Sequence, residues 1–153
     1  MPETRWLSPS QQRDWRAFVD GSVRLLDALD QSLKAGHGLS MAEYEILVRL
    51  SEAPERKLRM AQLAAEASQS RSRLSHTCTR LESKGLVRRE TCPSDKRGVL
   101  ARLTDEGFHA LERAAHDHVI AVRDLFVDVV DPGDLAAIGR ALSAVIVRVD
   151  KSR

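Results

Sequence analysis

The sequence predicts a mainly helical α+β fold, and three observations carry that expectation. Apolar residues recur at helical spacing at both ends of the chain, a short capped helical segment runs from Ser70 to Lys84, and two β-like runs, Leu86 to Glu90 and Val99 to Leu103, follow it directly. A loop containing Pro93, Ser94, Asp95 and Gly98 joins the two runs, so they read as a hairpin. Short helices followed at once by a hairpin are the order of a winged helix-turn-helix, here with further helices flanking it at its N- and C-terminal sides.

Trp15, Phe18, Val19, Leu25, Leu26, Leu29 and Leu33 mark a long amphipathic helix that the Gly36-His37-Gly38 stretch ends. Ser40-Met41-Ala42-Glu43 has the form of a capping box, in which the hydroxyl accepts from the third amide and the carboxylate reaches back to the cap amide. A helix through Tyr44, Leu47 and Leu50 follows and stops near Pro54. Leu58 to Glu66 fits a short third helix, and Ser70 caps a fourth with Gly85 just past its end. After the hairpin, Thr104 caps a fifth helix, with Leu103 and Phe108 in the two positions of a hydrophobic staple and Asp105 and Glu106 at its positive end. Asp131-Pro132 stops that helix and opens a last one, where Leu135, Ile138, Leu142, Val145 and Val149 recur at alternating spacings of three and four. The first and the last two helices are more apolar than a compact winged helix needs for its own core. Residues 1–36 and 105–153 are therefore assigned to a helical dimerisation region and residues 37–104 to the DNA-binding winged helix-turn-helix.

With 42% hydrophobic and 30% charged residues, the composition is that of a folded chain rather than a disordered one. No apolar run approaches the roughly 20 residues needed to span a bilayer. The first residues, Met1 to Trp6, lack the apolar core of a signal peptide, so no membrane partner and a cytoplasmic location are expected. Two cysteines, Cys78 and Cys92, are too few for a disulfide scaffold and lack the paired spacing of a zinc site. Charge is unevenly spread: between Arg56 and Arg102 twelve Lys or Arg face four Asp or Glu, a local +8, while the whole chain carries +2. A strongly basic block on an acidic remainder is the footprint of a nucleic-acid contact attached to another module.

If Ser70 caps the fourth helix, Leu74, Cys78 and Leu81 share its inward face. Arg71, Ser72, Arg73, Ser75, His76, Thr79 and Arg80 are left for the opposite one. Major-groove reading needs such a face: the helix N-terminus and serines hold phosphates, while an arginine bonds guanine O6 and N7 bidentately. The hairpin adds Arg88, Arg89, Lys96, Arg97 and Arg102, with Lys96 and Arg97 expected at its tip, where an arginine enters a narrow minor groove. Asp95 is expected to hold a neighbouring guanidinium in place before DNA arrives.

At these residues the chain resembles the MarR-type transcriptional regulators. Asp95-x-Arg97-x5-Leu103-Thr104-x2-Gly107 matches the family's wing signature D-x-R-x5-L-T-x2-G, and Leu63-Ala64, Ser70-Arg71-Ser72, Leu81-Glu82 and Gly85-Leu86-Val87 match its helix-turn-helix. One departure is Ser68, where the family often has glycine in the turn. The resemblance implies an obligate homodimer whose recognition helices occupy successive major grooves of an inverted-repeat operator, with wings in the flanking minor grooves and repression as the commoner outcome. It also implies a small aromatic or lipophilic effector in the crevice between winged helix and dimer helices, for which Trp15, His37, Met41, Tyr44 and Arg49 are candidates, Trp15 and Tyr44 foremost.

Some relatives sense oxidants through a cysteine in or near the first helix, and this chain has none there. Cys92, between Thr91 and Pro93 and near several arginines, is the redox candidate, whereas Cys78 reads as a small apolar residue of the recognition helix. His109, Glu112 and His116 share a helical face, but with no fourth ligand or cysteine pair they read as solvated, and no metal or cofactor is expected. Nucleophile-elbow, P-loop, dinucleotide and zinc-protease motifs are all missing, so no enzyme is expected. The alternatives are a cysteine-based redox regulator of the same fold and a winged-helix subunit used for protein contact.

Overall fold

The structure, a computed structural model, describes residues 3–152. Its elements run α1 (Pro9–His37), α2 (Met41–Glu52), β1 (Lys57–Arg59), α3 (Met60–Glu66), α4 (Arg71–Ser83), β2 (Val87–Cys92), β3 (Asp95–Leu103), α5 (Asp105–Val122) and α6 (Pro132–Asp150). This is the helical winged helix-turn-helix expected from the sequence. The chain divides between His118 and Val119 into two compact units.

Local side-chain chemistry starts the helices where the sequence places them. Ser8 and Ser40 form reciprocal capping boxes with Gln11 and Glu43, Ser70 accepts from the Arg73 amide at 3.1 Å, and Thr104 accepts from the Gly107 amide at 3.0 Å. Each such cap is worth about 1 kcal/mol. Gly38, at φ 64°, closes α1 in the left-handed region, and Ser68 adopts φ 52° in the turn between α3 and α4. The turn thus keeps the geometry that glycine favours, at a cost of roughly 1–2 kcal/mol for a residue with a Cβ.

Two sequence expectations about boundaries are corrected. Leu58 and Arg59 do not begin the third helix; with Lys57 they form β1, antiparallel to β3, in register Lys57↔Arg102, Leu58↔Ala101 and Arg59↔Leu100. A three-residue strand is specified by a partner some forty positions away rather than by local periodicity. The fifth helix does not run to Asp131: α5 ends at Val122 and a single π-helical turn, Arg123–Val127, follows, with Arg123 Nη2 2.6 Å from Asp128 Oδ1.

The first unit packs around Ile46, Leu47 and Leu50 of α2, Leu63 of α3 and Leu74, Cys78 and Leu81 of α4, all essentially buried. Leu33 and Leu39 close it from the α1 side, and Val87, Ala101 and Leu103 from the sheet. The sheet order is β1-β3-β2. At Gly107 the α5 backbone lies against the loop after α4. A Cβ there would meet the Leu86 carbonyl oxygen at 2.0 Å, and that same oxygen accepts from the Thr104 amide at 3.1 Å. The wing signature's final glycine is therefore a packing requirement.

In the second unit Asp131 caps α6 through the Gly133 amide, and no residue of α6 is buried. Val145, Ile146, Val147 and Val149 stay exposed on it, and in the first unit Trp6, Trp15, Phe18 and Val23 do likewise. Among the described residues no helix is long and apolar enough to cross a membrane.

Candidate nucleic-acid interface

Recognition-helix candidates sit on α4 as its amphipathic pattern requires: Arg71, Ser72, Arg73, His76, Thr79 and Arg80 are exposed, Ser75 is half-buried, and Leu74, Thr77, Cys78 and Leu81 face the core. Their side chains are not equally available. Arg71, Arg73, Lys96 and Arg97 make no ion pair among the described residues, whereas Arg80, Arg88, Arg89 and Arg102 are each held by a carboxylate.

Arg80 turns back to Glu43, its Nε 3.3 Å from Oε1, and Lys84 Nζ lies 2.8 Å from Oε2 of the same carboxylate. Glu43 is almost fully buried at the first turn of α2, where its Oε2 also accepts from the Ser40 amide at 2.9 Å. Burial pushes the Glu43 carboxyl up, but the Lys84 hydrogen bond, the Ser40 amide and the Lys84 charge outweigh it and hold the group below its ordinary 4.5. A carboxylate depressed on folding stabilises above the unfolded value and loses that contribution as pH falls through the folded one. Glu43→Gln keeps a capping side chain but removes the charge, so it is expected to cost about 1–3 kcal/mol at neutral pH. Urea unfolding of the two proteins should show that difference shrinking as pH drops below 4.5; a constant gap would refute the assignment.

The hairpin corrects two expectations and specifies a third. Its tip is Pro93-Ser94, between the paired Cys92 and Asp95. The ladder then jumps from Cys92↔Asp95 to Thr91↔Val99, so Lys96, Arg97 and Gly98 form a bulge on β3 just past the tip. The guanidinium that Asp95 holds is that of Arg59, whose Nη1 lies 3.6 Å from Oδ2, while Oδ1 accepts from the Arg97 backbone amide at 3.0 Å. Arg88, a sequence candidate, lies on the sheet face away from α4 beside Glu90 and its cross-strand partner Arg102, because side chains alternate along β2. Its neighbour Arg89 takes the α4 side.

The elements meet in a cleft of about 400 Å³ between α3, α4 and the wing, with Arg59, Arg71, Arg89 and Arg97 around Met60, Leu74 and Val99. It brings the start of the recognition helix and the bulge together. Sequence reasoning did not single out Arg59 for this face, since its place depends on the short β1 pairing, and it named Arg89 only among the basic residues of the hairpin. The one available signal was the local excess of arginine.

The five effector candidates do not form one site. Met41 and Arg49 line a crevice of about 730 Å³ with Leu26 and Lys34 of α1, Gln69 of the helix-turn-helix turn, and Arg73 and Arg80 of α4. His37 instead pairs with Asp117 at 2.8 Å, and the buried Tyr44 ring lies 4.5 Å from that of His118, both on the α5 side of α2. Trp15 is at the far end of α1, beside Trp6 and against Phe18. Position and packing separate them: Trp15 stands 22 residues before His37 on α1, and Tyr44, buried against His118, does not line the crevice that Met41 lines.

Cys92 is not in an open loop but ends β2, 6% exposed, with Sγ 3.3 Å from Ser94 Oγ. Hydrogen bonding from Ser94, with Arg59 nearby, holds its thiol below the ordinary range, while burial pushes Cys78 up to about 11. Among the described residues no group of three or more His, Cys, Asp or Glu is placed to hold a metal ion.

Comparison with known proteins agrees with this architecture. A model of the MarR family matches residues 37–98. The structure of AbsC, a MarR family transcriptional regulator from Streptomyces coelicolor, is 41% identical, covers 97% of this chain and 99% of its own, and superposes with a TM-score of 0.91. Sco3205 from the same organism, a MarR family regulator solved in complex with DNA, is 44% identical over 95% of this chain and 91% of its own, with a TM-score of 0.92. The HTH-type transcriptional regulator PecS of Dickeya dadantii (strain 3937) is 32% identical over 108 residues, 66% of this chain and 61% of that relative's length. The chain belongs to the MarR family of transcriptional regulators.

Proposed function

We propose that the chain acts as a homodimer that binds double-stranded DNA sequence-specifically at an inverted-repeat operator, as a repressor released by a small aromatic or lipophilic effector. The observation that carries the DNA reading is the convergence of arginines with no ion pair among the described residues: Arg71 and Arg97 share one cleft beside the α4 N-terminus, with Arg73 exposed one residue past Ser72. Helix N-terminal amides and these cations suit phosphates, and α4 is then the element for the major groove. Sco3205, a close structural match, was solved in complex with DNA. Residues 37–104 form the DNA-binding part in this reading, and 1–36 with 105–153 the dimerisation region, whose exposed apolar side chains a second copy would cover.

The test separates two arginines. Arg73→Ala should cost on the order of 1–3 kcal/mol and relax the preference at one base position. Arg97→Ala should weaken binding across sequences and flatten the salt dependence. Equal loss of sequence preference from both would overturn the division. The effector reading moves from Trp15 and Tyr44 to the α1, α2 and α4 crevice, since an occupant touching Arg73 and Arg80 bears directly on the recognition helix. A second reading, redox control, is favoured by the place of Cys92 at the end of β2, where its Sγ lies 3.3 Å from Ser94 Oγ with Arg59 near enough to favour the thiolate.

A further inference from the structure

Arg89 of β2 reaches across to α4 and makes three contacts with it. Its Nη2 donates to Thr79 Oγ1 at 2.8 Å, its Nη1 to Ser75 Oγ at 3.2 Å, and its Nε to Glu82 Oε1. The Thr79 hydroxyl in turn donates to the Ser75 carbonyl at 2.9 Å. Thr79 has therefore spent its single proton inside the protein, while Ser75 keeps its own. One planar fork thus spans two turns of the recognition helix and fixes them to the wing strand. Arg88, one residue earlier, faces the other side of the sheet and makes none of these contacts.

We infer that Arg89 is a positioning residue for DNA reading: it sets the rotation of α4 against the wing and turns Ser75 into a hydrogen-bond donor towards the groove, rather than neutralising a phosphate itself. This rests on the DNA-binding function proposed above. A phosphate contact needs only a positive charge, which lysine supplies, whereas a brace to three acceptors needs the guanidinium fork, which lysine lacks. Glu82 contributes to the brace without any positive charge, so it provides a second, independent handle.

The experiment uses the full chain and the duplex that the wild type selects from a random library, compared with a scrambled duplex over a salt series. Arg89→Lys and Arg89→Gln should both lower affinity for the selected duplex about tenfold, in the range of one good base contact. Both should leave scrambled-duplex affinity and the salt slope unchanged, and Glu82→Gln should move in the same direction. Reselection with Arg89→Lys should lose the preference for an acceptor-bearing base edge opposite Ser75. If Arg89→Lys behaves as wild type while Arg89→Gln lowers the slope by about 0.9 per contact, Arg89 is a phosphate ligand and the inference fails. A wild type that selects no sequence would instead overturn the DNA-binding reading beneath it.

Discussion

Gly107→Ala is expected to destabilise the winged-helix unit by at least about 3 kcal/mol, because the added methyl carbon has nowhere to go. It would stand 2.0 Å from the Leu86 carbonyl oxygen, 2.7 Å from Leu103 Cδ1 and 2.9 Å from the Leu86 carbonyl carbon, and two of those three nearest neighbours are backbone atoms that no rotamer change can move. Relief would require lifting α5 from the loop after α4, which breaks the bond from the Thr104 amide to Leu86 and the 2.7 Å bond from Thr104 Oγ1 to Gly85. Chemical denaturation read by circular dichroism should show an earlier midpoint at an unchanged slope. Gly139→Ala is the control, since nothing lies within 4 Å of its site. Equal behaviour of the two variants would show that the close approach does not constrain the fold.

The second large effect concerns assembly. Leu142 lies on the apolar stripe of α6, a helix with no buried residue in the single chain, so Leu142→Asp should leave the fold intact and strike only what covers that stripe. Losing one buried aliphatic side chain in each copy removes about 3 kcal/mol or more, roughly a hundredfold in the dimer dissociation constant, before the cost of burying a carboxylate is added. Sedimentation at micromolar concentration should find the wild type as a dimer and the variant as a monomer. A variant that remains a dimer would place the interface elsewhere.

What the sequence made legible was local chemistry. Caps at Ser40, Ser70, Thr104 and Asp131 depend on side chains within three residues of the amides they satisfy, and the inward stripe of α4 follows from helical period alone. Features that depend on pairing across the fold were not legible. β1 exists because β3 accepts it, Arg88 and Arg89 take opposite faces because of strand register, and Arg80 leaves the outward face because a carboxylate 37 positions earlier is buried within its reach. Candidate DNA residues therefore divide only in three dimensions, into arginines held by internal carboxylates and arginines that meet none among the described residues. The effector candidates separate in the single chain for a related reason: residue type suggests a pocket lining, but packing against other helices decides which cavity each residue faces.

In the proposed function a pair of these chains reads DNA sequence through α4. Its most direct measurement is selection of duplexes from a random library by the full chain, followed by fluorescence anisotropy on the winner across a salt series. The expected winner is an inverted repeat with half-site centres about one helical turn apart, roughly 34 Å, and two chains bound per duplex. Its affinity should fall steeply with salt and exceed that for scrambled DNA by at least about a thousandfold. Selection of no sequence, or an affinity indifferent to salt, would contradict it.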